Sequence, residues 1–374
     1  MGEAMDRREI ERLLDGIRQA RAGQEPAAVA TVIRITGSAY RREGTRMFVR
    51  QDGTYECALS GGCLEPSVAE AATRVIVTGE PIVLSYDLAD DSSWGLGIGC
   101  SGTVDIRIER IEDDALSNRW LTILERGEAA VRITALSGVS GRVIVTPSGE
   151  VAGALTDPVV ARAAVARAHA RLAARYPQSG PERIAYAELF FEVTTTPPAL
   201  VIFGAGHDAE PVAHLAWTLG FTVTIVDVRE AFVTPERFPR ARLVCAHFSQ
   251  FADRVVLGSG SFALIMNHHV ERDRESLRFS LESEPSYIGV LGPRSRYDRL
   301  ISGLAAQGYV PDPSKTARVR SPVGLSLGAE TPQEVAVSIL GELLAIRRGF
   351  AGGFLTGSVD SLHRPEDSWL LARS

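Results

Sequence analysis

One loop with two glycines, placed between a predicted strand and a predicted helix, does most to limit the folds available to this chain. The apolar run 200–203 is followed by Gly204 and Gly206 in the pattern Gly-x-Gly-x-x-Ala, and a helical pattern then continues to Gly220. Glycines at these positions allow backbone N–H groups to approach a diphosphate at the positive end of a helix. A second predicted strand ends at Asp227, about 20 residues further on, where dinucleotide-binding folds place a carboxylate for a ribose hydroxyl.

The rest of the C-terminal half continues this alternation of apolar strands and helices. Continuous apolar strands separated by helices are typical of a parallel sheet whose two faces are covered. The pattern therefore predicts that residues 197–350 form a Rossmann-like domain, with the Thr/Pro run 194–198 as the boundary before it. The predicted strands of this domain are 199–203, 222–226, 262–266 and 287–291.

The N-terminal half has a different organisation. Residues 1–111 combine a helix that has one apolar stripe with alternating strands and two glycine-rich loops, which predicts an α+β domain. Residues 112–196 are interpreted as a middle α/β region that packs with this first domain, and residues 351–374 as a weakly ordered C-terminal tail. The predicted class is therefore α/β, with a C-terminal Rossmann-like parallel sheet and an N-terminal α+β domain.

Charge and composition exclude several classes of protein. The chain has 40 Lys and Arg residues against 46 Asp and Glu, a formal charge of −6, and it lacks the basic stripe of a dedicated nucleic-acid binder. No apolar stretch reaches the ~18 residues of a membrane-spanning helix, and the N-terminus has no apolar signal segment. Four cysteines do not make a disulfide framework. We therefore expect a cytoplasmic protein with reduced thiols that binds neither nucleic acid nor membrane.

Histidines are predicted at the carboxyl ends of the strands, the edge that forms the ligand crevice of an open α/β sheet. His207 lies on the glycine loop, and His268 and His269 follow the strand 262–266. Adjacent residues of an extended segment point in opposite directions, so one of the pair is expected to face the crevice, and we assign His268. Taken singly, each histidine is more often a hydrogen-bonded structural residue, and their spacing is not that of a zinc site.

Charges around the glycine loop leave the nature of its ligand open. Asp208 places a negative charge in the first turn of the predicted helix, where it would complement the helix dipole or repel a phosphate. Arg229, two residues after Asp227, would offset that charge or reach a phosphate itself. The alternative is a Rossmann scaffold that has lost nucleotide binding.

Two cysteines lie in glycine-rich loops of the predicted first domain. Cys63 follows Gly61 and Gly62 just before a predicted helix, where the helix dipole favours a thiolate, and Cys100 follows Gly99. Glycines there would let a bulky ligand touch the backbone, and thiolates are soft ligands suited to zinc, copper or molybdenum–sulfur chemistry. Neither cysteine belongs to a Cys-x-x-Cys pair, which argues against structural zinc. The alternative is that both are small buried residues.

Five motifs occur in an order that is specific in combination. They are Ser60-Gly-Gly-Cys63-Leu-Glu65, Gly97-Ile-Gly-Cys100-Ser-Gly102, Gly204-Ala-Gly-His207, Tyr287-Ile-Gly-Val-Leu-Gly292, and the segment 322–340 that contains Leu-Gly-Ala-Glu330-Thr-Pro. Together they resemble the xanthine dehydrogenase accessory factor family (XdhC/CoxI) over residues 27–110 and 199–349. Two positions depart from the family pattern: Ser101 stands where glycine is frequent, and Asn267-His268 stands where Thr-His is common.

The resemblance implies a maturation factor rather than a catalyst. Members of the family bind the molybdenum cofactor, as molybdopterin or its dinucleotide form. They hold it while its terminal sulfur is installed and deliver it to the apo-enzyme. The implied partners are an apo molybdenum hydroxylase and a cysteine desulfurase. The resemblance places Cys63 and Cys100 near the metal, with Gly61, Gly62, Glu65 and Gly99 in the surrounding cofactor-binding loops.

Three functions remain in competition at this level. In the leading hypothesis, Gly204 and Gly206 cradle the diphosphate of the cofactor, Asp227 holds its ribose, and a thiolate of the first domain approaches the metal. The alternative is an NAD-dependent oxidoreductase, since a glycine loop followed by Asp227 suits NAD, although no proton donor is evident. A third is a protein-binding adaptor with an empty Rossmann site. The sequence leaves open whether the chain forms a homodimer.

Overall fold

The chain forms two compact units in a computed structural model, Met1–Thr196 and Pro197–Ser374. The structure describes residues 5–37, 39–88, 102–174 and 176–356. The division between the two units falls inside the Thr/Pro run 194–198.

The first unit contains an antiparallel sheet whose two faces carry one helix each. Its strands are β1 Ala27–Gly37, β2 Arg46–Arg50, β3 Tyr55–Glu56, β4 Ile82–Asp87 and β5 Gly102–Arg110, and its helices are α1 Arg7–Ala22 and α2 Glu65–Thr78. The strand order is β3-β2-β1-β5-β4. Side chains alternate between the faces of a strand, so Phe48 packs against α1 while Met47 and Val49 pack against α2.

A second antiparallel sheet completes this unit. Its strands are β6 Ala130–Ser137, β7 Gly141–Val145, β8 Val151–Leu155, β9 Gly180–Ile184 and β10 Ala187–Thr194, and its helices are α3 Ala115–Arg126 and α4 Pro158–Ala173. The strand order is β8-β7-β6-β10-β9. The small residues Val160, Ala164 and Ala168 of α4 pack on one face of the sheet.

A buried cluster of charges links β2 with the second sheet. Glu192 on β10 pairs with Arg46 on β2 and with Arg132 on β6, whose Nε donates to the carboxylate at 2.6 Å. The Glu192 side chain is only 2% exposed. Both guanidinium groups also lie over the ring of Trp120, at 5.7 and 5.4 Å from its centroid. The cluster thus joins elements that are distant in the sequence.

The second unit is built on a six-stranded parallel sheet. Its strands are β11 Ala199–Phe203, β12 Thr222–Asp227, β13 Ala241–Cys245, β14 Ser261–Ile265, β15 Tyr287–Val290 and β16 Val319–Arg320. The order is β13-β12-β11-β14-β15-β16, and every neighbouring pair is parallel. Within this unit that is the 3-2-1-4-5-6 order of dinucleotide-binding folds. The predicted fold class is confirmed.

Helices cover both faces of this sheet. They are α5 Ala209–Thr218, α6 Phe251–Arg254, α7 Val270–Glu282, α8 Arg294–Ala306, α9 Pro313–Thr316 and α10 Pro332–Arg348, with short 3-10 turns at Glu230–Phe232 and Phe248–Gln250. Ala209, Val212 and Ala216 of α5 share one apolar core with Ile339 and Leu343 of α10. Thr331 and Glu334 form the capping box that the sequence predicts at the start of α10.

Two strands of the parallel sheet were not evident in the sequence. β13 lies at the edge of the sheet and contains Arg242 beside Leu243 and Val244. β16 is only two residues long. Edge strands are buried on fewer sides, so they lack the continuous apolar run of the central strands. Among the helices that the structure describes, none combines the length and the apolar character that crossing a membrane requires.

Candidate functional site

The glycine loop of the second unit lies at the point where the strand order reverses. It follows β11, whose neighbours β12 and β14 come from opposite directions along the chain. Gly204 has φ +117°, and a Cβ there would lie 2.5 Å from the Met266 carbonyl oxygen at the end of β14. Only glycine fits both that backbone angle and that approach. The loop is therefore held at the crevice where ligands bind in open α/β sheets.

Asp227 lies at the end of β12 beneath this loop, as its position in the sequence predicts. Its carboxylate accepts the Ala205 N–H at 2.8 Å, the Arg229 N–H at 2.9 Å, and Nε and Nη2 of Arg229 at 3.0 and 2.7 Å. Burial raises the pKa of Asp227, but these hydrogen bonds outweigh it and hold the pKa below its ordinary value. A ribose hydroxyl would therefore have to displace Arg229 to reach this charged carboxylate.

A second ion pair also supports the glycine loop. Arg237 donates to Glu210 of α5 and also to the carbonyl oxygens of Ala205 and Phe232, at 2.9 and 2.8 Å. The ring of Phe232 lies 4.0 Å from the Arg229 guanidinium and 5.0 Å from that of Arg237. Arg237 was missed in the sequence, because nothing local links it to the loop.

The histidines differ in what they contact. His268 Nε2 donates to Asp208 Oδ2 at 2.6 Å, which brings the end of β14 to the first turn of α5. His207 is 88% exposed, with its Nδ1 3.4 Å from Glu210. Of the predicted pair, His268 thus reaches the glycine loop, whereas His269 begins α7 as its N-cap residue.

A buried network fixes the backbone just before His268. Asp273 of α7 accepts the Asn267 backbone N–H at 2.9 Å and its side-chain amide at 3.1 Å. The same carboxylate accepts the Arg296 Nε of α8 at 3.0 Å. Asp273 and Arg296 were not predicted as part of the site. The one local signal for them was Asn267, which replaces the threonine common in the family.

The loop around Cys63 is held by two polar side chains. The buried carboxylate of Glu65 accepts the Leu59 and Ser60 N–H groups at 2.9 and 2.7 Å and the Ser60 hydroxyl at 2.7 Å. Ser60 Oγ lies 3.2 Å from the N–H groups of Gly62, Cys63 and Leu64 and accepts the Cys63 thiol at 3.3 Å. Burial raises the pKa of Glu65, but the bonds from Ser60 and Leu59 leave it below its ordinary value. Glu65 thus shapes the loop from within.

Open space surrounds the two glycines of this loop. Gly62 has φ +110°, which only glycine adopts readily, whereas Gly61 has no such angle. A Cβ added at either position would meet nothing within 4 Å. Cys63 lines a neighbouring pocket of about 40 Å³ together with apolar residues such as Val32 and Leu64. The thiol and the glycine backbone are therefore both accessible from one side of the loop.

Two further predicted cofactor-binding residues, Gly99 and Cys100, lie outside the described residues. Within the described ranges there is no group of three or more His, Cys, Asp or Glu side chains that could hold a metal ion. Burial raises the pKa of the Cys57 thiol to about 11, and this thiol donates to the Glu9 carbonyl oxygen at 3.3 Å, as expected of a structural cysteine.

Comparison with known proteins identifies the family. A profile described as "XdhC and CoxI family" matches residues 20–87, and one described as "XdhC Rossmann domain" matches residues 200–343. A Bacillus subtilis protein, named as a probable subunit of xanthine dehydrogenase, is 30% identical over 88% of this chain and 95% of its own length. The chain belongs to the XdhC and CoxI family.

Two further proteins are similar to this chain over nearly its whole length. The Escherichia coli protein named "Molybdenum cofactor insertion chaperone PaoD" is 23% identical over 92% of this chain and 86% of its own length. A crystal structure described as a xanthine dehydrogenase from Bacillus halodurans has a TM-score of 0.74 and 29% identity, and covers 95% of this chain and 98% of that one. The resemblance inferred from the five motifs is confirmed.

Proposed function

We propose that this chain binds the molybdenum cofactor as cargo and assists its sulfuration and its insertion into a molybdenum hydroxylase of the xanthine dehydrogenase type. Membership of the XdhC and CoxI family supports this, as does the relative named as a molybdenum cofactor insertion chaperone. The partners in this proposal are the apo-enzyme and a cysteine desulfurase that supplies the sulfur, and the setting is the cytoplasm.

The Cys63 loop is the observation that carries the proposal. A thiolate is a soft ligand, and molybdenum bound to sulfur is a soft partner for it. Ser60 and Glu65 fix the loop through their own hydrogen bonds, so little conformational entropy remains to be lost when the cargo binds. Gly61 and Gly62 leave the backbone beside the thiol uncovered. The thiol and the uncovered backbone beside it can together contact the soft metal end of a ligand that lies outside the small pocket.

The glycine loop of the second unit serves a different group in this proposal. Its placement at the strand-order reversal is that of a diphosphate site, and Asp227 would be available to the ribose of a nucleotide once Arg229 is displaced from it. Such a nucleotide occurs in the dinucleotide form of the cofactor and also in NAD. The oxidoreductase alternative rests on this loop alone, and fluorescence titration with NADH tests it.

Analysis of the cargo tests the proposal directly. The full chain is expressed with molybdate and purified, and released ligands are identified by mass spectrometry and metal analysis. We expect molybdenum together with a pterin. A nicotinamide nucleotide without molybdenum would favour the oxidoreductase. Protein that stays empty after incubation with the isolated cofactor would contradict the proposal.

Gly61→Ala separates a ligand-binding glycine from a structural one. Because an added Cβ meets no protein atom and the backbone angle is ordinary, the free energy of unfolding should be unchanged or rise by up to about 1 kcal/mol. If the cargo touches this backbone, bound molybdenum per chain should fall several-fold. The matched control is Gly258→Ala, where the Cβ also meets nothing within 4 Å. Equal molybdenum content in both variants would exclude backbone contact at Gly61.

A further inference from the structure

The carboxylate of Asp208 occupies the space directly above the second glycine of the glycine loop. A Cβ built on Gly206 would lie 2.5 Å from Asp208 Oδ1 and 3.5 Å from the ring of His268. Gly206 is the glycine whose missing side chain lets a diphosphate approach the backbone in a Rossmann crevice. In this structure the protein's own carboxylate lies against that surface.

His268 holds the carboxylate in this place. Its Nε2 lies 2.6 Å from Asp208 Oδ2, and the Asp208 side chain is only 16% exposed, compared with 59% for His268. Asp208 is the N-cap residue of α5, yet its side chain makes no capping hydrogen bond to the helix. His268 has φ +58°, an uncommon angle for a residue other than glycine. Both residues thus depart from the local arrangements that their own segments favour.

The neighbouring charges do not offer a phosphate an easier position. Arg229 is bound to Asp227, and Arg237 is bound to Glu210 and to two carbonyl oxygens. A diphosphate placed over Gly206 would therefore lie against the Asp208 carboxylate, while the guanidinium groups of Arg229 and Arg237 are already paired with other carboxylates. The negative charges of a phosphate and of a carboxylate that touch in a partly buried site repel each other strongly.

We propose that Asp208 is a plug of the glycine loop, held by His268, that a diphosphate must displace before it can bind. This inference rests on the part of the proposed function that assigns a nucleotide diphosphate to this loop. Displacement of the carboxylate frees His268 Nε2, which can then donate to the phosphate that takes its place. Asp208 thereby determines which ligands the crevice admits: a diphosphate binds only by exchanging with the carboxylate.

Calorimetric titration of the full chain with ADP tests this proposal. Asp208→Ala removes the carboxylate, and Asp208→Asn removes its charge while keeping its size. We expect both variants to bind ADP at least about tenfold more tightly than the unchanged chain. The matched control is Glu230→Gln, which removes one exposed negative charge near the same sheet edge. It should bind ADP with unchanged affinity, and thermal unfolding should show that all three variants are folded.

Three results would overturn the plug. Equal affinity of the unchanged chain and both Asp208 variants would show that the carboxylate is no obstacle. An equal gain in Glu230→Gln would show that only overall charge matters. Absence of ADP binding in every protein would show that the loop does not take a diphosphate. Molybdenum and pterin content, measured on the same preparations, reports the cargo proposal separately, so either proposal can fail while the other holds.

Discussion

Replacing Cys63 with serine is expected to remove nearly all bound molybdenum from the purified chain. Serine has almost the size of cysteine and can keep the contact with Ser60 Oγ, so the loop and its pocket should persist. A hydroxyl at neutral pH is not the soft, anionic ligand that a thiolate is, so the interaction with the metal end of the cargo is lost. Metal analysis and pterin fluorescence of protein expressed with molybdate measure the effect.

Cys245→Ser provides the matched control for this experiment. This thiol is also partly buried, and it donates to the Val228 carbonyl oxygen at 3.7 Å. The control should retain the molybdenum and pterin of the unchanged chain. If Cys63→Ser retains them as well, Cys63 is not a ligand of the cargo and the proposal loses the residue that carries it.

Replacing Glu192 with glutamine should destabilise the first unit by about 3 kcal/mol or more. The carboxylate is buried between two guanidinium groups, and the amide removes the charge that Arg46 and Arg132 share, which Glu109, 3.7 Å from Arg132 Nη2, compensates only in part. Removal of one member of a buried ion pair costs far more than the pair contributes to stability, because the remaining charge is left uncompensated. Hydrogen exchange of the β6 and β10 amides in increasing urea reports this unit separately from the second.

The Glu192→Gln variant should also weaken the dependence of the first unit's stability on pH in the acid range. Burial raises the pKa of Glu192, but Arg132 and Arg46 outweigh it and hold the pKa below its ordinary value. The ionised group therefore contributes stability above its unfolded pKa of about 4.3. That contribution is lost as the pH falls through the lower pKa of the folded state. The difference between Glu192→Gln and the unchanged chain should thus shrink below about pH 4.

Glu188→Gln is the control for both measurements. Glu188 lies on the same strand and pairs with Arg34, but both side chains are more than a third exposed. An exposed pair contributes about 1 kcal/mol or less. If Glu188→Gln lost as much stability as Glu192→Gln, burial of the charge would not be the cause of the destabilisation.

Local patterns in the sequence were sufficient to predict the main features of the second unit. The glycine loop and Asp227 lie where strand, turn and spacing predict them, and the capping box of α10 needs only Thr331 and Glu334. Each of these features is encoded within a few turns of chain, because a backbone angle or a helix end depends on its immediate neighbours.

Contacts between distant segments could not be predicted in this way. Arg46 and Glu192 lie in different sheets, and Asp208 and His268 follow different strands, so no periodicity relates the members of either pair. The sequence indicated that Asp208 would either complement the helix dipole or repel phosphate. The structure favours the second alternative, because the carboxylate faces the loop, where His268 holds it over Gly206. Glu65 stays a predicted cofactor-binding residue, and the sequence did not indicate that its hydrogen bonds to Ser60 also hold the loop in shape.

The packing of α5 on α10 affects the order in which the protein can fold on the ribosome. Synthesis delivers β11 and the glycine loop long before α10, so the apolar face of α5 lacks the part of its cover that α10 provides until the chain has passed Leu343. Both sheets of the first unit, by contrast, use only strands that precede Thr196. We therefore expect the first unit to fold during translation, while the second waits for its last helix. In a nascent chain stalled before Thr331, the first unit should resist protease, whereas the glycine loop should remain open to cleavage.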